Sequence, residues 1–220
     1  MSSHPRARYL FPLKAPLSMA KIRQIPNLTP HKFHQDGEEP DLYFVTVDTA
    51  GRDVILVHFA PVRPFCIALP IPADKSLSST SLSPTLGVNA TMPQHRLESD
   101  AIASGGPRPG QNEYPVPYFF YGTLADPAKL VDMLGLSSGP ALTTGIIRRG
   151  RMKLWGGRYR ALVDGDEWAE VQGWVYEVQN KKQEDALRAY ESKNYKVVRI
   201  GIQTDGGEVR GLTFRFCGEA

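Results

Sequence analysis

No histidine occurs after His95: all five, His4, His31, His34, His58 and His95, lie in the first half of the 220-residue chain. If the C-terminal half is an enzyme near neutral pH, its proton transfers fall to a carboxylate with a raised pKa, because imidazole is the side chain that ordinarily titrates there. Cysteine is nearly absent as well. Cys66 and Cys217 are the only two, too few for a disulfide framework or a Cys-based zinc site, which points to a reducing compartment. Cys217 stands beside the C-terminus with no histidine in its half to activate it, so it reads as a small packing residue rather than a nucleophile. No apolar run approaches the ~20 residues that a membrane-spanning helix needs. Charge of one sign is also lacking: 26 basic and 23 acidic residues leave +3, short of the basic excess of a nucleic-acid binder. The first 35 residues contain no Asp or Glu beside six Lys or Arg, a pattern shared with mitochondrial transit peptides. Pro5, Pro12, Pro16, Pro26 and Pro30 nevertheless interrupt any amphipathic helix there. The expectation is a flexible N-terminus over residues 1–40 of a cytoplasmic protein, with mitochondrial targeting as the alternative.

Composition divides the rest. Residues 41–70 hold two runs rich in apolar and β-branched residues, Asp41–Thr49 and Asp53–Ala60, around Ala50-Gly51-Arg52, which reads as a β-hairpin. A lone hairpin is marginal in water and must pack on something, so a docked protein partner is one use for it. Residues 71–113 are rich in Ser, Pro and Gly and read as a linker, because such a segment buries too little apolar surface to offset the entropy of ordering it. From Tyr114 the signals become dense. Pro117–Tyr121 suits a buried strand. Asp126-Pro127 supplies an N-cap and a first-turn proline, so a helix should run from Pro127 to Leu134 and end at Gly135. Strands are expected over Thr144–Trp155, Arg160–Val163 and Trp168–Val178, then a helix capped by Asn180 with Gln183 reaching back. A closing hairpin, Tyr195–Gln203 with Val209–Phe216, turns at Asp205-Gly206-Gly207. So many strands in about a hundred residues imply an α+β domain over 114–220, a curled or barrel-like sheet carrying two helices.

Glu191 closes the second of those helices, four residues after Leu187, which places its carboxylate on an apolar stripe if the helix reaches it. Burial would raise its pKa and suit it to taking and returning a proton; the plainer alternative is a helix-end carboxylate paired with Lys193 or Lys196. Glu184 and Arg188, also four apart, read as a solvent-facing pair. Tyr121-Gly122-Thr123-Leu124 sits between strand and helix, either as a tight turn or as a cradle of amides for an anion. It lacks the second glycine and the Lys-Ser/Thr ending of a phosphate loop. His31 and His34 with Asp36, Glu38 and Glu39 have the residue types of a metal site but no helix to hold them, and read as solvated loop.

Taken in order, Tyr121-Gly122-Thr123-Leu124, Tyr159-Arg160-Ala161-Leu162-Val163, Val171-Gln172-Gly173-Trp174-Val175-Tyr176 and Leu187-Arg188-Ala189-Tyr190-Glu191 followed by Tyr195 resemble the gamma-glutamylcyclotransferase-like superfamily, in particular its avirulence-induced-gene-like branch. The resemblance covers about Tyr118 to Cys217. It implies a small mixed β-barrel flanked by helices, with no cofactor and no metal. It further implies that Tyr121, Gly122, Thr123 and Leu124, with Tyr159 and Tyr195, bind the gamma-glutamyl group, and that Glu191 is the general acid/base. The implied reaction is acyl transfer within one molecule. The α-amine of a gamma-glutamyl amine or peptide attacks its own γ-carbonyl, releasing 5-oxoproline and an amine. Thr123 followed directly by Leu124, without the asparagine of glutathione-related relatives, tilts the expectation to gamma-glutamylamines. Arg160 stands where proline is usual, Arg188 where aspartate is common and Ser192 where glycine is common. The alternative function is a protein of the same fold that binds gamma-glutamyl compounds, or regulates, without turnover.

Overall fold

A computed structural model describes residues 7–28, 32–35, 41–90, 106–155 and 159–218, which fall into two units, Met1–Ile71 and Pro72–Ala220. Among the described residues no helix is long and apolar enough to cross a membrane.

The first unit is a four-stranded sheet in the order β2-β3-β1-β4, with two helices. Its strands are β1 (Arg8–Pro12), β2 (Lys32–Gln35), β3 (Tyr43–Asp48) and β4 (Ile67–Leu69), and its helices α1 (Met19–Gln24) and α2 (Thr49–His58). Two expectations change here. Much of the N-terminal stretch expected to be flexible is built into the fold: Arg8 to Pro12 pair antiparallel with Asp48 to Phe44, and Phe11, Leu17, Ile22 and Ile25 join Val45, Val47 and Ile55 in one apolar core. An N-terminal hairpin is present, formed by β2 and β3. The second arm expected at Asp53–Ala60 is instead part of α2. The Asp48 carboxylate caps that helix by accepting from the Gly51 amide at 2.8 Å, and this cap outweighs the strand preference of Val54, Ile55 and Val57. Gly51 is required by contact, since a Cβ there would lie 2.9 Å from Cβ of Val47. His34 Nε2 lies 3.1 Å from the Thr46 hydroxyl; His31, Asp36, Glu38 and Glu39 lie outside the described residues.

The second unit is a closed barrel in the order β10-β11-β5-β9-β6, with β7 and β8 as a separate antiparallel pair. Its elements are β5 (Val116–Phe120), α3 (Pro127–Leu134), β6 (Thr143–Arg148), β7 (Gly150–Trp155), β8 (Tyr159–Asp164), β9 (Glu170–Val178), α4 (Lys181–Glu191), β10 (Tyr195–Thr204) and β11 (Gly207–Phe216). β5 pairs with β11 in parallel and with β9 antiparallel, so the barrel is mixed. The α+β expectation therefore holds. Its core stacks Tyr118, Phe120, Leu130, Leu187, Val197, Leu212 and Phe214. Helix α3 has the expected bounds, with Asp126 accepting from the Ala128 amide at 2.9 Å and Gly135 in the left-handed region at φ 63°. The strand expected across Thr144–Trp155 is two, because the chain turns at Arg149 with φ 65°. Gln183 does reach back at the start of α4, but to the amide of Gln179, at 2.9 Å.

The Ser/Pro/Gly segment departs most from its expected part as a linker. Where described, it is a strap whose Ala73, Leu77, Leu86 and Ala90 are buried. Having no regular structure, its carbonyls need other donors, and one side chain supplies many of them. Arg199, 3% exposed, donates to the carbonyls of Ser78, Ser83 and Pro109, each at 2.9 Å. The Gln111 side chain accepts from the Leu77 amide and donates to the Lys75 carbonyl, as a strand neighbour would. The second unit thus begins at Pro72.

Candidate active site

Two chain reversals converge on one cavity of about 660 Å³. The first follows β5, where Gly122 at φ 66° starts a 3-10 turn, Gly122–Ala125, with extended Tyr121 as its N-cap. A Cβ on Gly122 would meet nothing within 4 Å. The glycine is therefore demanded by backbone conformation, and it leaves that side of the turn open to the cavity. The second reversal ends α4 at Glu191 and passes through Ser192, with φ 65° and ψ −178°. The same turn, closed by the Tyr195 amide donating to the Ser192 carbonyl at 3.1 Å, leads into β10 at Tyr195. Tyr121, Gly122, Thr123, Leu124, Glu191 and Tyr195 all line the cavity. Of the sequence-derived site residues this leaves Tyr159, whose backbone opens β8 opposite Trp155 and whose side chain lies outside what is described. Arg160, Tyr190, Ser192 and Asn194 also line the cavity. Arg160, Tyr190 and Ser192 stand within or beside the motifs, but none carried a chemical signal of its own.

The electrostatics centre on Glu191. Desolvation pushes its carboxyl up from 4.5 to about 7, since burial disfavours the charged form. Burial, reinforced by the Glu191 charge and then by Tyr190, lifts the Tyr195 phenol to about 12. Tyr121 is raised well above its ordinary value, first by burial and then by Glu191 and Tyr195. Both phenols stay neutral. The Tyr121 hydroxyl donates a hydrogen bond to the Phe214 carbonyl at 2.7 Å, which fixes the ring against β11. The Tyr195 hydroxyl has no hydrogen-bond partner among the described residues. Among those residues no three of His, Cys, Asp and Glu gather as a metal-binding group.

Glu184 is not the solvent-facing residue that its spacing from Arg188 suggested. It is 2% exposed, two helical turns before Glu191. Its Oε1 accepts from Lys75 at 2.5 Å and from the Tyr118 hydroxyl at 2.6 Å, and its Oε2 accepts from the Tyr114 hydroxyl at 2.5 Å. Burial pulls the Lys75 ammonium below its ordinary value despite the favourable contact with Glu184. Arg188 turns to the strap instead: its Nε donates to the Ala73 carbonyl at 2.9 Å, while its own carbonyl accepts from the Ala73 amide at 2.7 Å. It clamps the strap to the helix that ends in Glu191.

Among curated proteins nothing matches the chain. The solved structures it resembles include two solution structures of Arabidopsis thaliana proteins. One is 19% identical, over 46% of this chain and 61% of that one, with a TM-score of 0.41. The other is 24% identical, over 48% and 70%, also with a TM-score of 0.41. A structure named gamma-glutamyl cyclotransferase is 18% identical over 47% of this chain and 67% of that one, with a TM-score of 0.37. Residues 118–219, most of the barrel domain, match the model of the family described as "Gamma-glutamyl cyclotransferase, AIG2-like".

Proposed function

We propose that the barrel domain cyclises a gamma-glutamyl amine or peptide to 5-oxoproline and a free amine, with Glu191 as the general acid/base. The observation that carries this reading is a carboxyl raised to about 7, facing the same cavity as the open Gly122 turn. The substrate's uncharged α-amine attacks its own γ-carbonyl carbon, forming the ring C–N bond, and its proton passes to the Glu191 carboxylate. Glu191 returns that proton to the departing nitrogen as the original C–N bond breaks, so the carboxylate is restored and the two products contain all the atoms of the substrate. A group whose pKa lies near the working pH can do both steps efficiently. Because nucleophile and electrophile share one molecule, holding the chain folded is most of the task, and orientation of this kind is worth roughly 7–11 kcal/mol. Amides of the Gly122–Leu124 turn are suited to the α-carboxylate or to the oxyanion that develops on the γ-carbonyl. The neutral Tyr195 phenol is a further donor.

The test is release of 5-oxoproline from a panel of gamma-glutamyl amines and dipeptides. Turnover should rise with pH through about 7 as Glu191 ionises, and Glu191→Gln should lower it by about 10²-fold or more. Undiminished turnover in Glu191→Gln removes the assigned role. Saturable binding without product in the unaltered protein replaces the enzyme with a gamma-glutamyl-binding protein.

A further inference from the structure

We infer that Arg160 selects substrates whose departing amine carries a carboxylate, so that gamma-glutamyl amino acids and peptides are favoured over gamma-glutamyl alkylamines. The inference rests on the reaction proposed above and reverses the substrate tilt drawn from Thr123-Leu124.

Among the described residues lining the cavity, Glu191 is the one carboxylic acid and Arg160 the one cation, and they differ in exposure. Glu191 is half-buried, with desolvation pushing its carboxyl up to about 7, whereas Arg160, on β8, is exposed. The α-amine must reach Glu191 to lose its proton, so the glutamyl end occupies the inner part of the cavity. The amide nitrogen's other substituent then extends towards the mouth. There Arg160 presents a planar fork of donors that matches a carboxylate two bonds at a time. No described residue pairs with its guanidinium, in contrast to Arg148, held by Glu170 at 3.0 Å, and Arg188, held by the strap. A neutral alkylamine would leave that cation unused; an anionic one would complete it. Because the site is open to solvent, the preference should weaken as salt screens it.

Two substrates that differ only by the carboxylate isolate the effect: gamma-glutamyl-L-alanine and gamma-glutamylethylamide. The ratio of their kcat/KM values is the readout, not either rate alone. The unaltered 220-residue chain should favour the alanine compound about tenfold, a typical return for one charge-assisted contact. Arg160→Gln should bring the ratio towards one, and Arg160→Glu should invert it. Loss of both rates by the same factor would assign Arg160 to the glutamyl α-carboxylate and overturn the inference while leaving the proposed reaction standing. An unchanged ratio would overturn it too. Calorimetric titration of the same two compounds into both proteins reads the preference without turnover. A preference lost in Arg160→Gln supports the inference even if 5-oxoproline is not formed, and equal affinities refute it.

Discussion

Lys75 Nζ and Glu184 Oε1, 109 positions apart in sequence, meet at 2.5 Å inside the barrel domain, with both side chains almost wholly buried. The pair joins the strap to α4, and the phenols of Tyr114 and Tyr118 complete the carboxylate's shell. Desolvating two charges costs nearly as much as their attraction returns, whereas leaving one of them unpaired costs far more.

Lys75→Met should therefore lower the unfolding free energy by about 3–5 kcal/mol, because Glu184 would be left buried without its cationic partner, with only the Tyr114 and Tyr118 hydroxyls beside it. Lys75→Met combined with Glu184→Leu should recover a substantial part of that loss, since the double variant buries no charge. Urea unfolding of wild type, both single variants and the double variant completes the cycle. A double variant as unstable as the sum of the singles would show that the two residues act independently.

The strap also sets where the folded domain starts. A chain beginning at Pro72 retains Lys75, the buried Ala73, Leu77 and Leu86, and the carbonyls that satisfy Arg199. It should unfold cooperatively. A chain beginning at Tyr114 exposes those apolar contacts and leaves a buried guanidinium short of acceptors, a defect costing several kcal/mol; it should be insoluble or lack a cooperative melt. Near-UV circular dichroism and thermal unfolding of the two fragments decide the matter, and a well-folded 114–220 fragment would make the strap dispensable.

These contacts mark the limit of what could be read from the sequence. Helix α3 was legible because its signals are local: Asp126 caps it, Pro127 opens it and Gly135 closes it. The place of Glu191 at the end of α4 was legible because Leu187 four residues earlier shares its face and is fully buried. Glu184 and Arg188 misled for the same reason that those succeeded. Their spacing suggests an intrahelical pair, but Glu184 is held by Lys75 and Tyr118 and Arg188 by Ala73, at separations of 109, 66 and 115, which no local pattern records; the helical neighbour that Arg188 does meet is Asp185, at 3.4 Å. The strap was missed because Ser, Pro and Gly bring little apolar surface of their own, and the order comes largely from a single arginine on β10 gathering its carbonyls. Asp53–Ala60 was misread because β-branched residues prefer strands on average, and the Asp48 cap decides otherwise.

Ser192 occupies a backbone region, φ 65° and ψ −178°, that is otherwise nearly reserved for glycine and costs a side-chain-bearing residue about 1–3 kcal/mol. Ser192→Gly removes that strain but adds freedom to the unfolded chain, so a net gain of about 1 kcal/mol is expected, seen as a higher Tm. Ser192→Ala keeps the Cβ and should bring no such gain. Equal Tm values for the two variants would show that the turn after Glu191 is not strained. The outcome bears on the site directly, because Ser192 lines the cavity beside the carboxylate.

Glu191 should leave a signature in stability as well as in turnover. Its carboxyl titrates at about 7 in the folded protein against an ordinary value of 4.5, so between those values the folded state holds a proton that the unfolded chain has released. Stability from this group is therefore fully present below about 4.5, declines as pH rises, and is lost once pH passes about 7. Above that the ionised carboxylate is a liability of roughly 3 kcal/mol relative to a group that does not ionise. Glu191→Gln has no such liability. The difference in unfolding free energy, variant minus wild type, should be small near pH 5, grow through pH 6 and 7, and level off by pH 8. Taking the difference cancels the titration of every other group. A difference that stays constant from pH 5 to 8 would mean that the carboxyl does not titrate in this range, and would leave the proposed acid/base without the property that suits it to the role.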